Sequence, residues 1–124
     1  MLRRLQPATM TRTAQKQMDF SADLTIDTLK RQVFIGSKEV SLTKKEFDIL
    51  ILLSSRPGQV YTREQILDMI WHDDTHISDR TVDVHIGRLR DKINIDLNSL
   101  PLVETVRGVG YRCNPSIDVE VIRA

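Results

Sequence analysis

The sequence predicts an α+β domain in which a small antiparallel sheet comes first, three helices follow, and a β-hairpin closes the fold. Three observations carry this. Apolar and polar residues alternate from Phe20 to Asp27, the period of a half-buried strand. The period lengthens at Thr43, where the first of two capping boxes opens a helix. Near the end, two short strand-like runs flank Arg107-Gly108-Val109-Gly110, the pattern of a hairpin.

Residues 1–17 come before the domain. Residues 6–17 are polar, rich in Thr and Gln, and read as a linker. Leu2, Arg3, Arg4 and Leu5 then fit the last turn of a preceding domain's helix, and a disordered native N-terminus fits them equally. In the first strand Phe20, Ala22, Leu24 and Ile26 face inward, with Ser21, Asp23, Thr25 and Asp27 between them. Arg31 to Ile35 is a second strand, Gly36-Ser37 a two-residue turn, and Lys38 to Leu42 a third strand. Met18 to Phe20 could add a short fourth.

Thr43-Lys44-Lys45-Glu46 caps a helix that runs to about Ser55 and stops at Pro57-Gly58. Phe47, Leu50 and Ile51 form one stripe, while Ile49 and Leu52 point elsewhere, so several faces should be covered. The sheet is expected on one side and the other helices on another. Thr62-Arg63-Glu64-Gln65 caps a second helix through Ile66, Leu67, Ile70 and Trp71. A polar loop, His72 to Ser78, leads to a third helix over residues 79–93. After a loop over 94–101, Leu102 to Val106 and Tyr111 to Cys113 are strands, with both intervening glycines read as supplying positive φ. The domain spans 18–113, and 114–124 is assigned as a C-terminal tail.

A chain of 124 residues with 40% hydrophobic residues suits one domain with a real core. Eighteen Lys and Arg against 17 Asp and Glu leave a net charge of +1, so any nucleic-acid partner requires a locally basic face. The lone cysteine, Cys113, cannot form an internal disulfide and suits a reducing cytoplasm. It is expected to lie inert in a strand. The longest apolar run, Ile49 to Leu53, is too short to cross a bilayer. No apolar stretch follows the basic start, so export is not expected.

At about 100° per residue, Val82, Ile86, Leu89 and Ile93 line one sector of the third helix as a core stripe. Arg80, Thr81, Val84, Gly87, Arg88 and Asp91 lie opposite. A solvated amphipathic face explains the charges, since acidic and basic residues nearly balance. It does not explain Val84, which sits at the centre of that face and could pack on a thymine methyl. Nor does it explain Gly87, which costs about 1 kcal/mol of helix propensity relative to Ala and suits a closely approached surface. The hairpin with Arg107 near its tip could enter a minor groove, or be an ordinary surface hairpin.

At this point the sequence resembles a known family. The run from Asp79 through Arg80, Thr81, Val82, Asp83, Val84, His85, Ile86, Gly87, Arg88, Leu89, Arg90 and Asp91 to Lys92 resembles the recognition helix of OmpR/PhoB-type response regulators. Thr105-Val106-Arg107-Gly108-Val109-Gly110-Tyr111-Arg112 resembles their wing. Leu42-Thr43-Lys44-Lys45-Glu46-Phe47 and Pro57-Gly58-Gln59-Val60-Tyr61-Thr62-Arg63 resemble the starts of their first two helices. The resemblance covers about residues 20–113 and implies a winged helix-turn-helix with an N-terminal four-stranded sheet.

It further implies that Arg88, with Thr81 and Val84, meets base edges in the major groove while Arg107 enters the minor groove. Arg63, Trp71, Arg80, His85, Arg90, Thr105 and Tyr111 would hold phosphates. The loop of His72, Asp73, Asp74, Thr75, His76 and Ile77 would meet RNA polymerase. Gly87 departs from the family, whose members often carry a basic residue there. The family's phosphorylatable receiver domain, the target of a cognate histidine kinase, is not in this sequence.

The remaining candidates read blandly. His72 and His76 with Asp73 and Asp74 lack further ligands for a metal site. Trp71 packs at a helix end or bonds a phosphate through its indole N–H. Asp83, with Arg90, flanks one edge of the outer face of the third helix, and Asp83 and Asp91 do not read as a paired-carboxylate site. No catalytic constellation or cofactor site is recognisable. The expected function is sequence-specific binding of double-stranded DNA without enzymatic activity, by a domain that is monomeric alone and pairs on direct-repeat half-sites. The rival is a winged-helix protein-interaction module without DNA binding.

Overall fold

The computed structural model describes residues 22–72, 77–93 and 101–123. In chain order the elements are β1 (Leu24–Asp27), β2 (Gln32–Ile35), β3 (Lys38–Val40), α1 (Lys44–Ser54), β4 (Tyr61–Thr62), α2 (Arg63–Ile70), α3 (Asp79–Ile93), β5 (Val103–Val106), β6 (Gly110–Cys113) and β7 (Val119–Ile122). This is the predicted α+β order with two additions, β4 and β7. The expected strand at Met18 to Phe20 lies outside the described residues.

β1, β2 and β3 form an antiparallel meander, with Leu24 opposite Ile35 and Val33 opposite Val40. The fourth position in this sheet is filled from the far end of the chain. β7 lies parallel to β1, with Leu24 beside Val119 and Ile26 beside Val121, giving the order β3-β2-β1-β7. A strand therefore lies within the stretch assigned as a tail. It is held at both ends, where the Leu24 amide donates to the Asp118 carbonyl at 3.0 Å and the Thr28 hydroxyl to the Ile122 carbonyl at 2.6 Å. Because β1 is central, the alternation predicted from sequence is masked there. Thr25, expected to face outward, is buried beside Phe34 and Glu120.

Both capping boxes form. The Thr43 hydroxyl accepts from the Glu46 amide and Glu46 Oε1 accepts from the Thr43 amide, and Thr62 and Gln65 do the same for α2. Helix α1 packs on α2, α3 and β6, which accounts for its apolar residues on several faces. Phe47, Ile49, Leu50 and Leu53 are buried, and Arg31 of the β1–β2 turn lies over the Phe47 ring at 4.4 Å. The last carbonyls of α2 have no basic residue of their own to meet them. Lys45 of α1 supplies one, its Nζ donating to the Ile70 carbonyl at 2.8 Å.

On α3, Val82, Ile86, Leu89 and Ile93 are fully buried, as their spacing predicted. Each contributes on the order of 1.5–3 kcal/mol of burial. They join one core that runs from Leu24 and Ile26 through the helices to Val103 and Cys113. Among the described residues, no helix is long and apolar enough to cross a membrane.

The closing hairpin is a three-stranded sheet, β4-β6-β5. Of its two glycines, only Gly108 takes positive φ, +79°. Gly110 is needed for a different reason. A Cβ there would lie 2.0 Å from the Tyr61 carbonyl oxygen, because β4 crosses against β6 at that point. The expectation of positive φ at Gly110 is thus replaced by a close backbone approach.

Candidate nucleic-acid interface

α3 turns its apolar stripe into the core, and this alone directs the opposite face outward. Arg80 and Arg88 are exposed, Thr81 and Gly87 are half-buried, and Val84 is 42% exposed. Gly87 faces open space, with no atom within 4 Å of where its Cβ would stand. Packing therefore does not explain the glycine. Val109, at the tip of the hairpin beside Arg107, is another exposed apolar residue at 52%. The sequence reading passed over it, although an apolar residue between two turn glycines is itself a signal.

The residues expected to touch DNA fall into two groups. Arg80, Arg88 and Arg107 are exposed and join no ion pair among the described residues. Arg63, His85, Arg90, Thr105 and Tyr111 are instead tied to the scaffold. Arg90 Nε donates to the Val103 carbonyl at 3.2 Å, its terminal nitrogen donates to the Thr105 hydroxyl, and its guanidinium lies 5.4 Å from the Tyr111 ring centre. His85 Nδ1 is 2.9 Å from the Thr81 carbonyl, which can only accept, so the ring is protonated at Nδ1. Trp71 is buried as the C-cap of α2, edge-on to His85 with ring centres 5.0 Å apart. Its position fits the helix-end packing left open by the sequence.

One residue that the sequence placed only on the helix flank stands at the centre of these contacts. Asp83 Oδ1 accepts from the Tyr111 hydroxyl at 2.6 Å and pairs with Arg63 Nε at 3.1 Å. It thereby joins α2, α3 and the hairpin through a single atom. Burial first, and then the Asp83 carboxylate, push the Tyr111 phenol above its ordinary value of 10.0, which keeps it a hydrogen-bond donor. A groove of about 400 Å³ lies between these parts, lined among others by Thr62, Arg63, Asp79, Thr105, Gly108 and Tyr111.

In the loop expected to meet RNA polymerase, Asp73, Asp74, Thr75 and His76 lie outside the described residues. His72 is exposed and Ile77 packs partly against the core. Cys113 is fully buried, and burial raises its thiol above the ordinary value, in line with an inert strand residue.

Comparison with known proteins places this arrangement. The family described as "Transcriptional regulatory protein, C terminal" matches residues 37–113. The chain belongs to this family, of the OmpR/PhoB type. Heme response regulator HssR of Staphylococcus aureus is 43% identical over 90 residues, covering 73% of this chain and 40% of HssR. The chain thus spans well under half the length of this curated relative. The DNA-binding domain of Klebsiella pneumoniae RstA, solved in complex with the RstA box, superposes with a TM-score of 0.65 at 38% identity, covering 75% of this chain and 92% of that one. Response regulator DrrB, a Thermotoga maritima OmpR/PhoB homolog, superposes at 0.67 with 40% identity, covering 76% of this chain and 42% of that one. The family match stops at Cys113, so β7 falls outside it.

Proposed function

We propose that this domain binds double-stranded DNA sequence-specifically as the output domain of a two-component response regulator, and so controls transcription. The observation that carries the reading is the outer face of α3. It presents Arg80, Thr81, Val84 and Arg88 to solvent, with the hairpin tied beside it as a wing through Tyr111 and Arg90. Reading helix and wing therefore meet DNA as one body. The complex of the related RstA domain with its box supports the same mode here.

In this mode α3 lies in the major groove. Arg88 takes a guanine edge through its forked donors, and Val84 and Thr81 pack near thymine methyls. Arg107 enters the adjacent minor groove. Arg63, Arg80, His85, Arg90 and Thr105 hold backbone phosphates, which position the domain without reading sequence. Tyr111, whose hydroxyl is given to Asp83, fixes the wing instead. A net charge of +1 gives one domain a weak grip, so two copies occupy direct-repeat half-sites about one helical turn apart. In the full-length protein the pairing is driven by a receiver domain joined through residues 1–17 and phosphorylated by a histidine kinase. RNA polymerase meets the loop at residues 72–77. The setting is the bacterial cytoplasm, and the domain performs no catalysis and requires no cofactor.

Random-site selection on the purified domain tests this. Wild type should enrich a defined sequence and bind it with steep salt dependence, as phosphate contacts require. Arg88→Ala should relax the enriched sequence and cost about 1–3 kcal/mol. Salt-insensitive binding with no preference lost in Arg88→Ala would instead favour a protein-interaction module.

A further inference from the structure

We propose that Asp83 is a positioning residue for DNA docking, whose single carboxylate oxygen aims Arg63 at a backbone phosphate and pins the wing to α3 through Tyr111. The proposal rests on the phosphate role proposed above for Arg63.

The geometry separates two jobs that look alike from sequence. Arg63 meets Asp83 through Nε. That ion pair leaves the terminal nitrogens, which carry most donors of the fork, for a second anion. A guanidinium held from behind by one carboxylate loses less freedom when it takes a phosphate in front. Tyr111 stands differently, because a phenol has one hydrogen and Asp83 receives it at 2.6 Å. So engaged, Tyr111 fixes the wing and does not donate to DNA.

Asp83 also places a negative charge on the docking surface, with its side chain 35% exposed and that of Arg63 51% exposed. It therefore repels any phosphate that comes close without meeting Arg63 in register. A correctly seated site gains an aimed donor, and an arbitrary duplex meets a net penalty. Asp83 thus favours fitting sites twice, by aiming and by repulsion. The wing has an independent tether in Arg90, which bonds the Val103 carbonyl and the Thr105 hydroxyl. Replacement of Asp83 by Asn keeps an acceptor for Tyr111 and leaves that tether intact. The variant should therefore fold.

The test uses the full 124-residue chain, a site obtained by selection, and a random duplex, titrated over a range of salt. Asp68→Asn removes a charge from an exposed position of α2 that contacts neither partner. Asp83→Asn should lower the ratio of selected to random affinity roughly fivefold, the scale of one partly exposed charge contact. It should also reduce the selected-site salt slope by about one contact. Its thermal midpoint should stay near wild type, and Asp68→Asn should move both affinities by one common factor. In an Arg63→Ala background the effect of Asp83→Asn on the slope should vanish.

If Asp83→Asn shifts both affinities equally, as Asp68→Asn does, the proposal is overturned while the phosphate role of Arg63 stands. If Arg63→Ala alone leaves the salt slope unchanged, the phosphate role fails first and takes the proposal with it.

Discussion

Lys92 Nζ lies 2.6 Å from Glu46 Oε1, joining the last turn of α3 to the first turn of α1. The Glu46 side chain is 1% exposed and its Oε1 also accepts from the Thr43 amide, so one buried carboxylate closes a cap and anchors the recognition helix. Burial by itself would raise its pKa, but Lys92 and the Thr43 amide outweigh burial and hold it below the ordinary 4.5.

A depressed carboxylate stabilises the fold above its unfolded value and loses that contribution as pH falls through the folded one. Glu46→Gln should therefore cost about 1–2 kcal/mol at neutral pH, since Gln can still cap but cannot pair with Lys92. The two proteins should converge in stability as pH drops below 4.5. Urea melts at several pH values check this, and a constant difference down to acid would refute it.

Gly110→Ala should destabilise the wing strongly, by about 2–4 kcal/mol, because the new methyl meets the Tyr61 and Thr62 backbone. Gly108→Ala meets open space and only strains a positive φ, so it should cost about 1 kcal/mol. Chemical denaturation of the pair distinguishes close approach from turn conformation as the reason for each glycine.

Ile117→Ala should cost about 2–4 kcal/mol by thermal denaturation, since Ile117 is 4% exposed and leads into β7. A change within experimental error would mean that residues past Cys113 are dispensable to the core.

Gly87→Arg should help twice. The site is open, so the helix gains about 1 kcal/mol of propensity, and a further cation joins the phosphate-facing side. Affinity for duplex should rise, with a salt slope steeper by about one contact. Unchanged binding would remove Gly87 from the docking surface.

Arg107→Ala should weaken binding by about 1–3 kcal/mol where the flank beside the wing is A/T-rich, and less beside G/C. Equal losses on both flanks in a mobility-shift titration would count against minor-groove insertion.

What was legible in the sequence is what depends on neighbours along the chain. The capping boxes at Thr43 and Thr62 lie within four residues, and the stripe of Val82, Ile86, Leu89 and Ile93 repeats with the helix itself. The outward face of α3, with Arg88 and Val84, follows from that stripe by simple rotation. Even β7 left a trace, since Ile117, Val119 and Val121 alternate with Asp118 and Glu120. The pattern lies past the part that resembles the family, and nothing local says which strand it pairs with.

Tertiary structure alone decided the rest. β4 is two residues long, too short for any period, and exists because β6 pairs with it. Gly110 is a glycine because of Tyr61, which is far away in sequence. Asp83 looked like one more charge on a solvated flank until folding brought Arg63 and Tyr111 to it from either side. Sequence by itself determined the order of elements and the direction each helix faces, because periodicity and capping are local. Which strands share a sheet, and which carboxylate holds the wing to the reading helix, were set only when distant segments closed on a common core.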